Sequence, residues 1–167
     1  GGVSLIALGL TAMFLMLNPS TADDVANDPT VERCQRRADQ MGYGGLLVGN
    51  IFAYRSTLPR ALYACTDPVG PDNDAAILGM ARGAGIVICA WGGHGKLHGR
   101  GEMVIQMLKS AGITPHALII NADGTPKHPL YIPYSVRPKV WHPKESTYCP
   151  AATSQPLVFW SWPCSAA

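Results

Sequence analysis

The sequence predicts an α/β protein: a three-layer sandwich with a central, mostly parallel four-stranded sheet. Four apolar runs of strand length lie at residues 12–17, 46–52, 86–91 and 116–120. None of them alternates cleanly between apolar and polar residues, which is typical of strands buried on both faces. Helical patterns separate the runs, and this alternation favours parallel strands joined by right-handed crossovers.

Three helices are predicted between these strands. The first follows Asp28, a good N-cap residue, with Pro29 at the first helical position and Gly42 as a stop signal. Its apolar residues recur at three- and four-residue spacing. The second helix is predicted from about Asn73 to Arg82, and the third from Glu102 to Ser110.

The length and composition indicate one compact domain. The chain has 167 residues, of which 47% are hydrophobic and 14% are charged. We predict a domain at residues 1–142 and an irregular tail at 143–167, because periodicity is lost after His142 and no charge follows Glu145. The apolar N-terminus lacks a basic region and carries Gly, Ser and Thr throughout. It is therefore interpreted as a lead-in to a buried strand, and no membrane partner is expected.

The charge and the cysteine content indicate which partners and which cellular compartment to expect. The formal net charge of +2 does not indicate a strongly basic surface, but it is compatible with a local basic patch that binds nucleic acid. The five cysteines are widely spaced and form no CxxC motif, which favours free thiols and a cytoplasmic location. No heptad pattern or long exposed edge is evident, so a monomer is expected. The cysteines are Cys34, Cys65, Cys89, Cys149 and Cys164.

Four polar clusters follow the four predicted strands. Residues 18–20, Asn-Pro-Ser, come after the first strand, and Asn50 lies at the end of the second. The glycine-rich segment 92–96 follows the third, and His128 lies beyond the fourth. Because ligands bind beyond the carboxyl ends of parallel strands, these clusters form a candidate site.

Each cluster also has a purely structural interpretation. An Asn before Pro is common in turns, so Asn18 alone does not establish a site. Asn50 is either part of a buried hydrogen-bond network or a residue that reads a ligand. His128 is compatible with an ordinary loop histidine.

The segment "GGHGK" is compatible with a simple turn or a phosphate-binding loop. It does not match a P-loop, because Leu97 rather than Ser or Thr follows Lys96. His94 and His98 are four residues apart, but the surrounding glycines disfavour a helix and no Cys or carboxylate lies near. A zinc site is therefore not predicted, and no cofactor is expected.

Residues from about Met13 to Tyr134 closely resemble a family of short bacterial and phage proteins of unassigned function. The segments that carry the resemblance are "MLNPSTADDVANDPTVERC", "GYGGLLVGNIFAYRSTLP", "DPVGPDNDAAI", "AWGGHG" and "KHPLYIP". More distantly, they resemble the motifs of the uracil-DNA glycosylase superfamily. "LNPS" is similar to its water-positioning motif, Asn50 to its base-reading Asn, "ICAWGG" to its third strand and glycine turn, and "HPLY" to its final His-Pro motif.

The second resemblance implies a uracil-DNA-glycosylase-like fold and a DNA glycosylase that acts on duplex or single-stranded DNA. Such an enzyme hydrolyses the bond between sugar and base of a flipped-out nucleotide. Asn18 would then hold the attacking water, Asn50 would read the base and His128 would donate to the departing base. The further residues implied are Ser20, Phe52 and Tyr54 at the base, Thr21, Gly92, Gly93, Lys96, Arg100 and Lys127 at DNA phosphates, and Leu130 or Tyr131 as a wedge. Tyr131 is equally compatible with a core position.

The chain departs from the uracil-specific members of that superfamily. Ser20 and Thr21 stand where those enzymes usually carry bulky or glycine residues, and Leu130 and Tyr131 replace a serine-rich continuation. A pocket lined by small residues would admit a larger, modified pyrimidine, such as a hypermodified phage cytosine, and the role would be antiviral defence. The alternatives are a hydrolase of free nucleosides or nucleotides and a non-catalytic reader of modified bases.

Overall fold

The computed structural model describes residues 10–21 and 28–144. The predicted tail from Glu145 onwards lies outside these residues, as does the lead-in before Leu10. The strands are β1 (Thr11–Met16), β2 (Gly45–Asn50), β3 (Ala84–Cys89), β4 (Pro115–Ala117) and β5 (Lys139–Val140). The helices are α1 (Pro29–Gln40), α2 (Arg60–Ala64), α3 (Asn73–Gly83) and α4 (Arg100–Ser110), with short 3₁₀ turns at Gly93–Gly99 and Pro129–Tyr131.

The sheet has the strand order β2-β1-β3-β4-β5. The pairs β1–β2, β1–β3 and β3–β4 are parallel, and only β4–β5 is antiparallel. The predicted α/β class with a mostly parallel sheet is therefore confirmed. The predicted number of four strands is wrong, because β5 adds a fifth strand too short to show any periodicity. The carboxyl ends of β1 to β4 meet at one edge of the sheet.

The two faces of the sheet are covered by different helices. Met13 and Leu15 of β1 pack with the side chains of α3 and α4. Phe14 and Met16 point the other way and pack with α1. Residues 12–16 are 0–7% exposed, which explains why the apolar run of β1 shows no alternation.

The predicted helix starts are close to those observed. The Asp28 side chain accepts a hydrogen bond of 2.8 Å from the amide of Thr30, and Pro29 occupies the first turn of α1. The helix ends before Gly42, whose φ of +83° suits glycine. The predicted second and third helices correspond to α3 and α4, whereas α2 was not predicted because five residues carry no helical period.

Two predicted strands are longer than those observed. Ile51 and Phe52 remain buried after β2 ends, and their amides donate to the carbonyls of Met16 and Leu17. Beyond β4 the chain turns into a hairpin in which Ile120 pairs with Pro126. In both places apolar residues continue past the end of the strand, so hydrophobicity alone overestimates its length.

Candidate functional site

Asn18 lies directly beyond β1, and its side-chain amide is fixed by backbone carbonyls. Its Nδ2 donates to the carbonyl oxygens of Ser56 at 2.8 Å, Tyr54 at 3.2 Å and Pro19 at 3.3 Å. The amide of Ser56 in turn donates to the Pro19 carbonyl at 3.0 Å. Carbonyl oxygens accept only from a donor, so the nitrogen must face them and Oδ1 must point away. Oδ1 is thereby presented as a fixed acceptor.

Asn50 ends β2 on the side of the sheet that α1 covers. It is in register with Met16, and register partners in these parallel strands share a face. Its backbone carbonyl accepts from Asn73 Nδ2 at 2.9 Å, which anchors the end of β2 to the start of α3. Within residues 10–21 and 28–144, its half-buried side chain makes no hydrogen bond. Those residues therefore give no partner for the network interpretation of Asn50.

His128 is a half-buried imidazole held in one tautomer. Its Nδ1 accepts a hydrogen bond from the Leu130 amide at 3.3 Å, so Nδ1 carries no proton and Nε2 is the N–H donor. Burial lowers the pKa of His128 from its usual value, and the nearby Asp28 carboxylate partly opposes this shift. The lowered pKa favours the neutral imidazole, which presents a single donor.

Two sets of contacts attach the His128 segment to the rest of the fold. Before it, the hairpin donates from the Lys127 amide to the Ile119 carbonyl, and the Gly92 amide donates to the Pro126 carbonyl, both at 2.8 Å. After it, the 3₁₀ turn Pro129–Tyr131 packs against α1. His128 thus lies on the α1 side of the sheet, the side to which Asn50 points, and Asn18 lies at the same carboxyl edge.

Three of the predicted contact residues are engaged elsewhere. Arg100 is 1% exposed and donates from Nε to the Ile51 carbonyl at 2.7 Å and from a terminal nitrogen to Asp74 at 2.6 Å. The predicted phosphate contact of Arg100 is therefore wrong, because its guanidinium joins β2, α3 and α4 inside the protein. Phe52 is 0% exposed in the core, so its predicted stacking on a base is also wrong. The Gly92 amide donates to the Pro126 carbonyl and is not free for a phosphate.

The other predicted residues lie at or near the surface. Tyr131 is 83% exposed, so it does not belong to the core, and Tyr54 is 42% exposed. Lys96 forms an ion pair of 3.4 Å with Asp123, and the hydroxyl of Thr21 hydrogen-bonds that of Thr57. The remaining four are Gly93, which is exposed, and Ser20, Lys127 and Leu130, which are half-buried.

A groove of about 680 Å³ lies on the other side of the sheet, beside α4. Asn18, Asn50 and His128 do not line it. Its walls include Trp91, Glu102, Ile105, Asn121, Asp123 and Trp141. The two indoles are 5.8 Å apart at their centroids. The motif at residues 92–96 contributes Gly95 and Lys96 to its wall, but nothing in the sequence indicated a groove, because the other walls come from α4, residues 120–126 and the residues after β5.

Neither a metal site nor a membrane span is evident in the part of the chain that the structure describes. No three His, Cys, Asp or Glu side chains are grouped there closely enough to hold a metal ion. None of the helices found there has the length and apolar character needed to cross a bilayer.

The fold and the edge residues define a mixed α/β protein whose amide and imidazole groups lie at the carboxyl edge of a mostly parallel sheet. The chain belongs to the family described as Protein of unknown function (DUF1643), whose model matches residues 7–130. The prediction of a family of unassigned function is thereby confirmed. No curated protein and no solved structure matches the chain.

Proposed function

We propose that this protein is a uracil-DNA-glycosylase-like enzyme that hydrolyses the N-glycosidic bond of a flipped-out, modified pyrimidine in DNA. The observation that carries the proposal is the orientation of Asn18. Three backbone carbonyls hold its amide nitrogen, so the amide oxygen is a preset acceptor at the carboxyl edge of the sheet. A fixed neutral acceptor of this kind suits the positioning of a water molecule.

The chemistry of the reaction fits an amide in this role. Cleavage of the bond between sugar and base passes through an oxocarbenium-like sugar, which neutral water can attack without a strong base. The Asn18 oxygen would accept a hydrogen bond from that water and aim its lone pair at the sugar carbon. The base leaves with the electron pair of the broken bond, and the water oxygen bonds to the sugar carbon and loses a proton to solvent. The departed base takes up a proton from solvent, so the products are an abasic site and the neutral free base.

His128 would stabilise the departing base. Negative charge builds on the base as the bond breaks, and the Nε2–H of a neutral imidazole would donate to a base carbonyl. The bond from the Leu130 amide to Nδ1 fixes this donor before substrate arrives. Removing a single donor of this type typically raises the barrier by about 2.7–4 kcal/mol.

Asn50 would select the base. Its amide offers both a donor and an acceptor, which match the paired polar groups on the edge of a pyrimidine. The half-buried position and the absence of a hydrogen-bond partner among the described residues support this role over a structural one. Because small residues follow Asn18, a base larger than uracil is proposed. A hypermodified phage cytosine would make the role antiviral defence.

An abasic-site assay tests the proposal directly. Purified protein is incubated, in the presence of EDTA, with DNAs that carry uracil, hydroxymethylcytosine, glucosylated hydroxymethylcytosine or other modified bases. Alkali then cleaves at abasic sites. We expect strand breaks with one substrate class, lost in Asn18→Ala and retained in Gln106→Ala, which removes an exposed amide on α4. Breaks that persist in Asn18→Ala would refute the assigned role of Asn18.

Two other outcomes would overturn the glycosylase proposal. Tight binding to a modified DNA without abasic sites would identify a non-catalytic reader of modified bases. Absence of both binding and cleavage would favour the alternative of an enzyme of free nucleosides or nucleotides, for which nucleoside hydrolysis is the next assay.

A further inference from the structure

We propose that residues 53–60, the cationic loop that follows β2, form a duplex-DNA contact surface beside Asn18, with Arg55 and Arg60 binding backbone phosphates. This inference rests on the proposed function and extends it, because neither arginine was assigned a role from the sequence. The loop is distinct from the His128 segment, so it would supply a second region of contact with DNA.

The cationic loop contains no acidic residue of its own and pairs with none among the residues that the structure describes. No acidic residue occurs between Ile51 and Thr66 in the sequence. Arg55 and Arg60 are both exposed, and neither forms an ion pair with any residue in 10–21 or 28–144. Lys96, by contrast, is paired with Asp123 at the same edge of the sheet. Two exposed guanidiniums with no acidic partner in the described part of the chain suit phosphate oxygens, which a guanidinium binds with two parallel N–H donors.

The loop also carries apolar side chains of the kind that meet bases and sugars. Leu58 is 68% exposed, and Tyr54 and Tyr63, the latter in α2 just beyond the loop, are 42% and 54% exposed. Aromatic and apolar groups placed among cations are typical of nucleic-acid surfaces, where they contact the faces of bases and sugars.

The cationic loop is preformed and is joined to the candidate site. Its backbone carbonyls at Tyr54 and Ser56 hold the Asn18 amide, as described above. The Ser56 hydroxyl donates to the Leu58 carbonyl at 3.0 Å and accepts from the Leu58 amide at 3.1 Å, which fixes the turn. Just beyond the loop, in α2, the Tyr63 hydroxyl is 3.1 Å from His94 Nδ1 in the turn after β3. Phosphates bound here would lie next to the nucleotide whose sugar faces Asn18.

The salt dependence of DNA binding tests this surface without requiring catalysis. The probe is a short fluorescein-labelled duplex that carries a tetrahydrofuran analogue of an abasic site. Binding is measured over a range of salt concentrations for the wild type, R55A/R60A and R82A/K109A. The last variant removes the same charge from exposed positions at the C-terminal ends of α3 and α4, near the opposite edge of the sheet.

Each phosphate contact contributes about 0.9 to the slope of log affinity against log salt concentration. We therefore expect the slope of R55A/R60A to be less steep by about 1.8, while R82A/K109A and the charge-preserving R55K/R60K keep the wild-type slope. An unchanged slope in R55A/R60A would overturn the contact surface and leave the glycosylase proposal standing. A wild type that shows no salt-dependent binding would overturn both.

Discussion

Replacing Arg37 by Met tests how the segment after His128 is held against α1. Arg37 is 3% exposed and donates to three backbone carbonyls, those of Ile132 at 2.6 Å, Val136 at 2.9 Å and Pro133 at 3.0 Å. No carboxylate pairs with it in the part of the chain that the structure describes. The guanidinium therefore serves as a hydrogen-bond donor to an irregular segment that has no partner strand.

The loss of stability in Arg37→Met depends on which of the three carbonyls keep another hydrogen-bond donor. The Ile132 carbonyl still accepts from Arg33 at 2.7 Å, and the Pro133 carbonyl still accepts from the Val136 amide at 3.1 Å. Only the Val136 carbonyl loses its donor, which costs about 1–3 kcal/mol. The lost contact with the Tyr134 ring, whose centroid is 5.2 Å from the Arg37 guanidinium carbon, adds about 0.5–1 kcal/mol.

Two effects reduce the expected loss. Burial, together with the nearby Arg33, lowers the pKa of Arg37, because both disfavour the charged guanidinium there. Methionine also keeps most of the apolar stem. We therefore expect Arg37→Met to lower the free energy of unfolding by about 2 kcal/mol, most of it from the single orphaned carbonyl.

Urea denaturation gives this difference from the shift in midpoint, provided that the m-value is unchanged. The matched control is Arg36→Met, one residue earlier on α1. Its side chain is 57% exposed, pairs with Glu32 across one helical turn and lies 5.5 Å from the Tyr134 ring centroid, so its loss should cost about 1 kcal/mol or less. Equal losses in the two variants, or a loss below about 0.5 kcal/mol for Arg37→Met, would refute the reasoning.

Three further predictions concern single side chains. The pKa of His128 in the folded protein lies below its usual value of about 6.5, so the unfolded chain takes up the proton first and stability is lost as pH falls through that value. In urea melts, His128→Asn should therefore lose less stability than the wild type between about pH 7.5 and 5.5. Burial raises the pKa of Cys34 to about 12, so brief alkylation should modify the half-buried Cys65 and spare Cys34 until the protein is unfolded, as peptide mass spectrometry would show. A Cβ at Gly95 would clash with the Trp91 indole, so Gly95→Ala should lower the free energy of unfolding by about 1–3 kcal/mol in thermal melts. A Cβ at Gly79 in α3 would have nothing within 4 Å, so Gly79→Ala should raise the free energy of unfolding by about 0.5–1 kcal/mol.

The parts of the fold that the sequence predicts are those where local chemistry and burial agree. The run at β1 is buried on both faces, so its hydrophobicity is continuous and visible. The start of α1 is specified by Asp28 and Pro29, and both act as their residue types suggest. Helix α2 and strand β5 span five and two residues and carry no period, so pattern reasoning could not find them.

Residue type alone did not show which way side chains at the candidate site point. Arg100 follows a glycine at the start of α4, a position compatible with phosphate binding, yet its guanidinium turns inward to the Ile51 carbonyl. Phe52 lies two residues after Asn50, but its ring is buried in the core. Both outcomes depend on long-range packing across β2, α3 and α4, which the local sequence does not encode. Asn18, Asn50 and His128 were identified because they lie at or beyond the carboxyl ends of predicted strands, and the order of strands was predictable even where the exact ends of β2 and β4 were not.

The amide at position 18 is required by the path of the chain after β2. The backbone carbonyls of Tyr54 and Ser56 point at the same atom, so that atom must be a donor. A carboxylate there would place negative oxygen against carbonyl oxygen at about hydrogen-bonding distance, which is repulsive unless the acid is protonated or turns away. Asn18→Asp should therefore fail to restore any activity lost in Asn18→Ala, even though a carboxylate is a stronger base than an amide oxygen. The carbonyls of the cationic loop thus require a donor at position 18, which Asn18 supplies while keeping its oxygen free for water, and the same loop carries Arg55.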